Sequence, residues 1–203
     1  MDLPARPTRP HGWVAVATSQ DGLSGAMVQL SCADPRAARA RAVREFADLL
    51  AEQVRVRAPA NLEELAGQDW IAGGPSAGWA LERCADAVGA ALAVERIARF
   101  QVPRGWVHGW TSPDGDGAVL LAAQSAGSAP RARIALSMLA AQIHEERAWE
   151  VVVGEHGPEE LFDPLAVVDR PWRLDATSTV QVELERLLGA PWSLAGYAAF
   201  RAS

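Results

Sequence analysis

Gly12-Trp13-Val14-Ala15-Val16-Ala17-Thr18-Ser19-Gln20-Asp21-Gly22 is the stretch that decides the fold. It returns 93 residues later as Gly105-Trp106-Val107-His108-Gly109-Trp110-Thr111-Ser112-Pro113-Asp114-Gly115. Seven of the eleven positions are identical. In each copy a strand-like run ends in an Asp-Gly turn and is followed by a second strand-like run, the pattern of a β-hairpin. Shorter echoes follow in the same order. Pro35-Arg36-Ala37 matches Pro130-Arg131-Ala132, and Val54-Arg55-Val56 sits where Trp149-Glu150-Val151 sits. Glu63-Glu64-Leu65 matches Glu159-Glu160-Leu161, and Glu95-Arg96 matches Glu185-Arg186 near the end of a later helix. Two unrelated hairpins could share a turn motif, but the ordered series favours an internal duplication.

The elements are read outward from these hairpins. Residues 1–10, with three prolines and two arginines, read as an extended arm. After the first hairpin, Asp34 and Pro35 suit an N-cap and a first helical position. Val43, Phe46, Leu50 and Val54 then follow at helical spacing. Residues 54–57 read as a short strand, and a helix marked by Leu81, Ala85, Val88 and Leu92 is expected to run to Phe100. In the second half, strands are expected at 106–111 and 118–124. A helix from Ser128 turns Ile134, Met138 and Ala141 inward, and a strand covers 149–154. A last helix over 177–188 follows, with an apolar tail from Pro191. Each half thus reads β-β-α-β, an irregular stretch, then α. The expected class is α+β: a duplicated β-β-α-β-α unit, antiparallel sheets with helices on one face, and a pseudo-two-fold axis. The units are an arm at 1–10, a first repeat at 11–101, a second at 102–190 and a tail at 191–203.

Composition narrows the function classes. The chain of 203 residues carries a net charge of −6, which argues against a dedicated nucleic-acid binder. Arg36, Arg39, Arg41 and Arg44 read as a solvated helix face. All 19 basic residues are arginine, so lysine Schiff-base and phosphate-loop lysine chemistry are excluded. The arginine, alanine and glycine bias is that of a GC-rich bacterial genome. Two cysteines form neither a metal cluster nor a disulfide scaffold. No transmembrane segment and no signal peptide are read, and a cytoplasmic location is expected. No cofactor or metal ligand set is expected: His11, His108, His144 and His156 lack metal spacing.

The candidate functional residues come from the positions where the copies differ. Alternate strand residues share a face, so Trp106, His108 and Trp110 line one face where the first copy has Trp13, Ala15 and Ala17. These differences fill space between packed units, or they form an aromatic-lined pocket for a small apolar ligand with His108 as its polar group. Trp13, Trp106, His108 and Trp110 are therefore the ligand-binding candidates, in a site expected between the two repeats. The tail residues Trp192, Leu194, Tyr197 and Phe200 either cap the chain's own core or dock on a partner, and they are the partner-binding candidates. No catalytic constellation is present, so a non-catalytic protein-interaction or accessory subunit, or a homo-oligomer, is expected. A small-molecule-binding protein or small enzyme is the alternative.

Overall fold

The computed structural model describes residues 11–113, 115, 117–146, 152–153 and 165–202. β1 (His11–Thr18) and β2 (Ser24–Cys32) form the first hairpin. At its turn the Asp21 carboxylate accepts from the Ser19 hydroxyl at 2.5 Å and from the Leu23 N–H at 2.9 Å. Asp34 caps α1 (Pro35–Ala38) as expected, accepting from the N–H groups of Arg36 and Ala37. This helix stops after one turn, and the chain restarts as α2 (Arg41–Arg57). Residues 54–57 are the last turn of α2 rather than a strand, because Val54 extends the buried Leu50 stripe by one more turn.

α3 (Leu62–Gly67) and α4 (Ala77–Val88) follow. α4 ends twelve residues short of Phe100. Gly89 takes a left-handed φ of 67° and donates to the Asp86 carbonyl, closing the helix. The remainder of the expected helix is a strand, β3 (Leu92–Gln101), which pairs antiparallel with β2.

The second half carries β4 (Trp106–Thr111), β5 (Gly117–Ser125) and α5 (Ala129–Glu145). Its other described elements are β6 (Val152–Val153), α6 (Leu165–Val168), β7 (Pro171–Trp172), β8 (Asp175–Thr179), α7 (Val180–Leu188) and β9 (Trp192–Arg201). The inward face of α5 is Ala132, Ala135, Leu136, Leu139, Ala140 and Ile143, whereas Ile134 is 61% exposed. The expected last helix begins at Val180, since Asp175–Thr179 pairs with β7 first. The expected tail is a strand of the second sheet. The third long strand therefore comes last in each half, after α4 and after α7, because a short loop from a capped helix returns the chain beside the hairpin. The Glu95-Arg96 echo falls on a strand and its Glu185-Arg186 match on a helix. Residues 149–151 and 159–161, used in two other echoes, lie outside the described residues.

The sheets have the orders β1-β2-β3 and β4-β5-β9-β6, all antiparallel. The β2–β3 ladder shifts register between Gln29 and Leu30, and the β5–β9 ladder between Ala122 and Ala123. These positions are again 93 residues apart. The buried residues Val43, Phe46, Ala47, Leu50, Ala51, Gln53 and Val54 of α2 each have a buried residue 89 positions later in α5. β3 and β9 begin 100 residues apart, each three residues after a left-handed glycine, Gly89 or Gly189.

Strand alternation makes four layers. Ala26, Val28 and Leu30 of β2 face α2 and α4, while Val119, Leu121 and Ala123 of β5 face α5 and α7. The opposite faces meet each other: Val14, Met27, Ala98 and Phe100 pack on Val107, Ala118, Leu120, Ala198 and Phe200. These side chains are 0–7% exposed, and each large one contributes about 1.5–3 kcal/mol by leaving water. The close approach of the sheets dictates glycines. The turn residues Gly22 and Gly115 both take φ 72°, which disfavours a Cβ. A Cβ on Gly22 would stand 3.0 Å from the Trp106 ring, and one on Gly115 would overlap the Trp13 ring. One on Gly109 would overlap Val16.

Candidate functional site

β4 turns His108 and Trp110 toward α5 of the same half, away from the facing sheet. The His108 Nε2 lies 2.9 Å from the Ser137 hydroxyl on α5. Burial, with the Arg133 charge adding to it, holds the imidazole below its ordinary range, so it is neutral at neutral pH. Trp110 packs at 4.8 Å on the His144 ring at the far end of α5. The Trp106 ring instead lies on the Gly22 turn of the first half, and its buried Nε1 has no hydrogen-bond partner among the described residues. Trp13 lies on the Gly115 turn and carries the Arg44 guanidinium 5.6 Å from its ring.

The four ligand-binding candidates thus divide between a seam and a strand–helix contact. The space between the sheets holds Val14, Met27, Phe100, Leu120 and Phe200. A groove of about 200 Å³ does open beside His108's partner. It lies between α5 and the β7–β8 hairpin, lined by Ser137, Met138, Ala141, Gln142, Trp172, Arg173 and Leu174.

The four partner-binding candidates lie in β9, between β5 and β6. Trp192 is 6% exposed and donates from Nε1 to the Gln181 carbonyl at 3.1 Å. Tyr197 and Phe200 are fully buried, and Leu194 packs on the same core. The Arg96 guanidinium covers Phe200 at 4.6 Å. Of the two readings of the tail, capping the chain's own core is the one this geometry fits.

A second groove was not singled out from the sequence. It lies between α2 and α4, measures about 330 Å³, and has Phe46, Leu49, Trp70 and Trp79 as its largest apolar lining residues. Phe46 and Trp70 stack at 5.3 Å. Trp79 is 42% exposed and Leu49 41%. The available signal was Trp79 itself, which falls off the Leu81–Ala85–Val88 stripe of its helix.

Both grooves border the same device. Gln53, fully buried near the end of α2, accepts the Ile71 N–H at 3.0 Å, just after Trp70. Gln142, at the corresponding turn of α5, accepts the Arg173 N–H at 3.1 Å, just after Trp172. It also donates to the Pro171 carbonyl at 2.9 Å and to Glu146 at 2.7 Å. A buried amide side chain thereby pins the loop that carries each buried tryptophan.

Cys32 and Cys84 are free and buried, and burial raises the Cys84 thiol, which keeps it protonated. No cluster of three or more His, Cys, Asp or Glu that could hold a metal occurs among the described residues. No helix among them is long and apolar enough to cross a membrane. Neither a protein-family model nor a curated protein matches this chain.

Proposed function

We propose that the protein is a non-catalytic interaction module, an accessory subunit of a bacterial cytoplasmic system. It docks a partner protein through the α2–α4 groove. The observation that carries this reading is the exposed indole of Trp79 beside Leu49 on a chain whose other described tryptophans are largely engaged in packing. Tryptophan is enriched among residues that dominate binding energy, and an apolar cleft with charged ends is suited to one buried anchor from a partner helix or loop. Glu45 and Arg83 supply those charged ends.

The scaffold beneath the groove is read as an internal duplication with a pseudo-two-fold axis. Several correspondences support this: the shared ladder shifts, the matched stripes of α2 and α5, and the two glutamine clamps. Contacts across the seam are reciprocal as well. Trp13 lies on Gly115 and Trp106 on Gly22, while Val16 stands against Gly109, its own counterpart. A residue that meets its own counterpart marks where a two-fold axis passes.

The test is association of the native partner with the wild type, Trp79→Thr and Leu49→Glu. Light scattering covers self-association, and Ile134→Glu serves as a surface control. Loss of complex in the first two variants with an unchanged melting curve is expected. Complexes of wild-type mass in both variants refute the reading. A second reading, binding of a small apolar ligand, draws on the α5 groove with Met138, Trp172 and Leu174 as its apolar walls and Ser137 as its polar group. It requires a thermal upshift with small aromatic ligands that Met138→Ala abolishes.

A further inference from the structure

We propose that the outer face of α5 is a homodimer interface, on which a second copy of this chain packs its own α5 antiparallel. The inference goes beyond the docking reading and leaves the α2–α4 groove untouched. Ile134, Met138 and Ala141 follow at helical spacing and share one face of α5 with Ser137. That face lies opposite the stripe buried against β5. Met138 is half-buried and lines the α5 groove together with Leu174 of the β7–β8 turn. Leu174 is 65% exposed and Ile134 is 61% exposed, the two highest values for large apolar residues among the described ones.

The first half carries the water-facing version of this surface. On the proposed duplication, Ile134, Ser137, Met138 and Ala141 stand where α2 has Glu45, Asp48, Leu49 and Glu52. Three carboxylates on α2 are thus replaced on α5 by isoleucine, serine and alanine. A helix with one apolar stripe buries it against its own core. α5 has a second one, and no element of its own chain among the described residues covers Ile134.

Charge indicates what does. Arg131 lies in the first turn of α5 and Glu145 in the last, both exposed and both on the outer side of the helix. The helix macrodipole favours the reverse, an acid at the start and a base at the end. An antiparallel second α5 compensates both ends at once, bringing its Glu145 to the first turn and its Arg131 to the last. Met138 is midway between the two, which stand about 21 Å apart at helical rise. With Met138 on a two-fold axis, Arg131 meets Glu145 of the second copy and Ile134 lies against its Ala141. The surface is therefore complementary to itself, as a two-fold contact requires. Glu145 already bonds Arg173, but that bridge is about half exposed on both sides. It contributes little, and a carboxylate has lone pairs enough for a second arginine. Such a dimer covers the α5 groove, so it and a small ligand in that groove exclude each other.

The experiment is sedimentation equilibrium of the full chain over a micromolar-to-millimolar dilution series. Twice the chain mass is expected at the upper end. Ile134→Glu should give the single mass throughout, with an unchanged circular dichroism spectrum. Arg131→Glu and Glu145→Arg should each weaken the dimer about tenfold, because the symmetric contact carries each pair twice. The two together restore the pairing with reversed signs and should bring the dimer most of the way back. A wild type of single mass throughout overturns the proposal. So does a dimer that survives Ile134→Glu, which places the contact on another surface. A charge swap without recovery excludes the antiparallel arrangement and overturns it as well. A single mass combined with a thermal upshift by small aromatic ligands identifies a small ligand as the occupant of this face, again overturning it. Partner association through Trp79 is measured separately, and the docking reading stands or falls on that result alone.

Discussion

Replacing Gln142 by leucine should be among the costliest conservative changes in this protein. The side chain is 2% exposed and similar in size to leucine, so its volume is nearly kept. What disappears is the pairing of two loop groups, the Arg173 N–H and the Pro171 carbonyl. Both bonds are part-buried, so each group left unmade costs about 1–2 kcal/mol, toward the low end for buried groups, and about 2–4 kcal/mol is expected. In a chain of this size that corresponds to a fall in Tm of about 5–15 °C. Gln53→Leu should cost less, about 1–2 kcal/mol, because only its bond to Ile71 is short; the one to Gln68 is 3.5 Å. Urea unfolding and scanning calorimetry on both variants measure this. A Gln142→Leu cost below about 0.5 kcal/mol, the level of an ordinary surface change, would refute the idea that these amides pin the tryptophan loops. So would a larger cost for Gln53→Leu.

Gly109→Val should destabilise by about 1–3 kcal/mol through overlap with Val16. The swapped pair Val16→Gly with Gly109→Val should recover most of it in urea unfolding. His108 titrates below its ordinary value of 6.5 in the folded chain. Below that value the unfolded state binds the extra proton first, so stability is full above about pH 6.5 and declines as the pH falls through it. The urea midpoint of His108→Gln should therefore decline less than that of the wild type on acidification. Deleting residues 191–203 removes the strand between β5 and β6, and circular dichroism should report loss of the folded state. An intact fold would contradict the placement of β9.

Both hairpins were legible because an Asp-Gly turn between alternating apolar runs is a local signal. The order of the later elements was not. Residues 81–100 carry apolar residues at helical spacing as far as Leu92, and only Gly89 in its left-handed conformation separates helix from strand. A glycine inside a helical pattern is a weak mark when read alone. The counterpart Gly189, followed by Ala190 as Gly89 is by Ala90, would have aligned β3 with β9. That alignment would have turned the apolar tail into a strand. On α5 three alanines share the inward face with Leu136, Leu139 and Ile143, and the helical spacing through Ile134 and Met138 marks a different face, on which Ile134 is exposed.

The candidate site changes meaning once counterparts are compared across both sides of each strand–helix contact. His108 replaces Ala15, and its partner Ser137 stands where α2 has Asp48. Trp110 replaces Ala17, and its partner His144 stands where α2 has Arg55. In each pair the larger group on β4 meets a shorter side chain on α5. Changes that come in complementary pairs are what close packing requires, so the mismatch on the first strand is best explained as compensation between sheet and helix. Trp79 is different. Its counterpart by the 100-residue offset of α4 and α7 is Thr179, the N-cap of α7, which bonds the Val182 N–H at 3.4 Å. The indole is one of two exposed large apolar residues at the groove mouth, and a Cβ on Gly74, at φ 136°, would overlap its ring. On the proposed duplication this bulky residue has no counterpart in the other half, and an indole left 42% in solvent is not needed to fill a core. This favours the docking reading proposed above, in which the difference that matters lies at the start of α4 and not on β4.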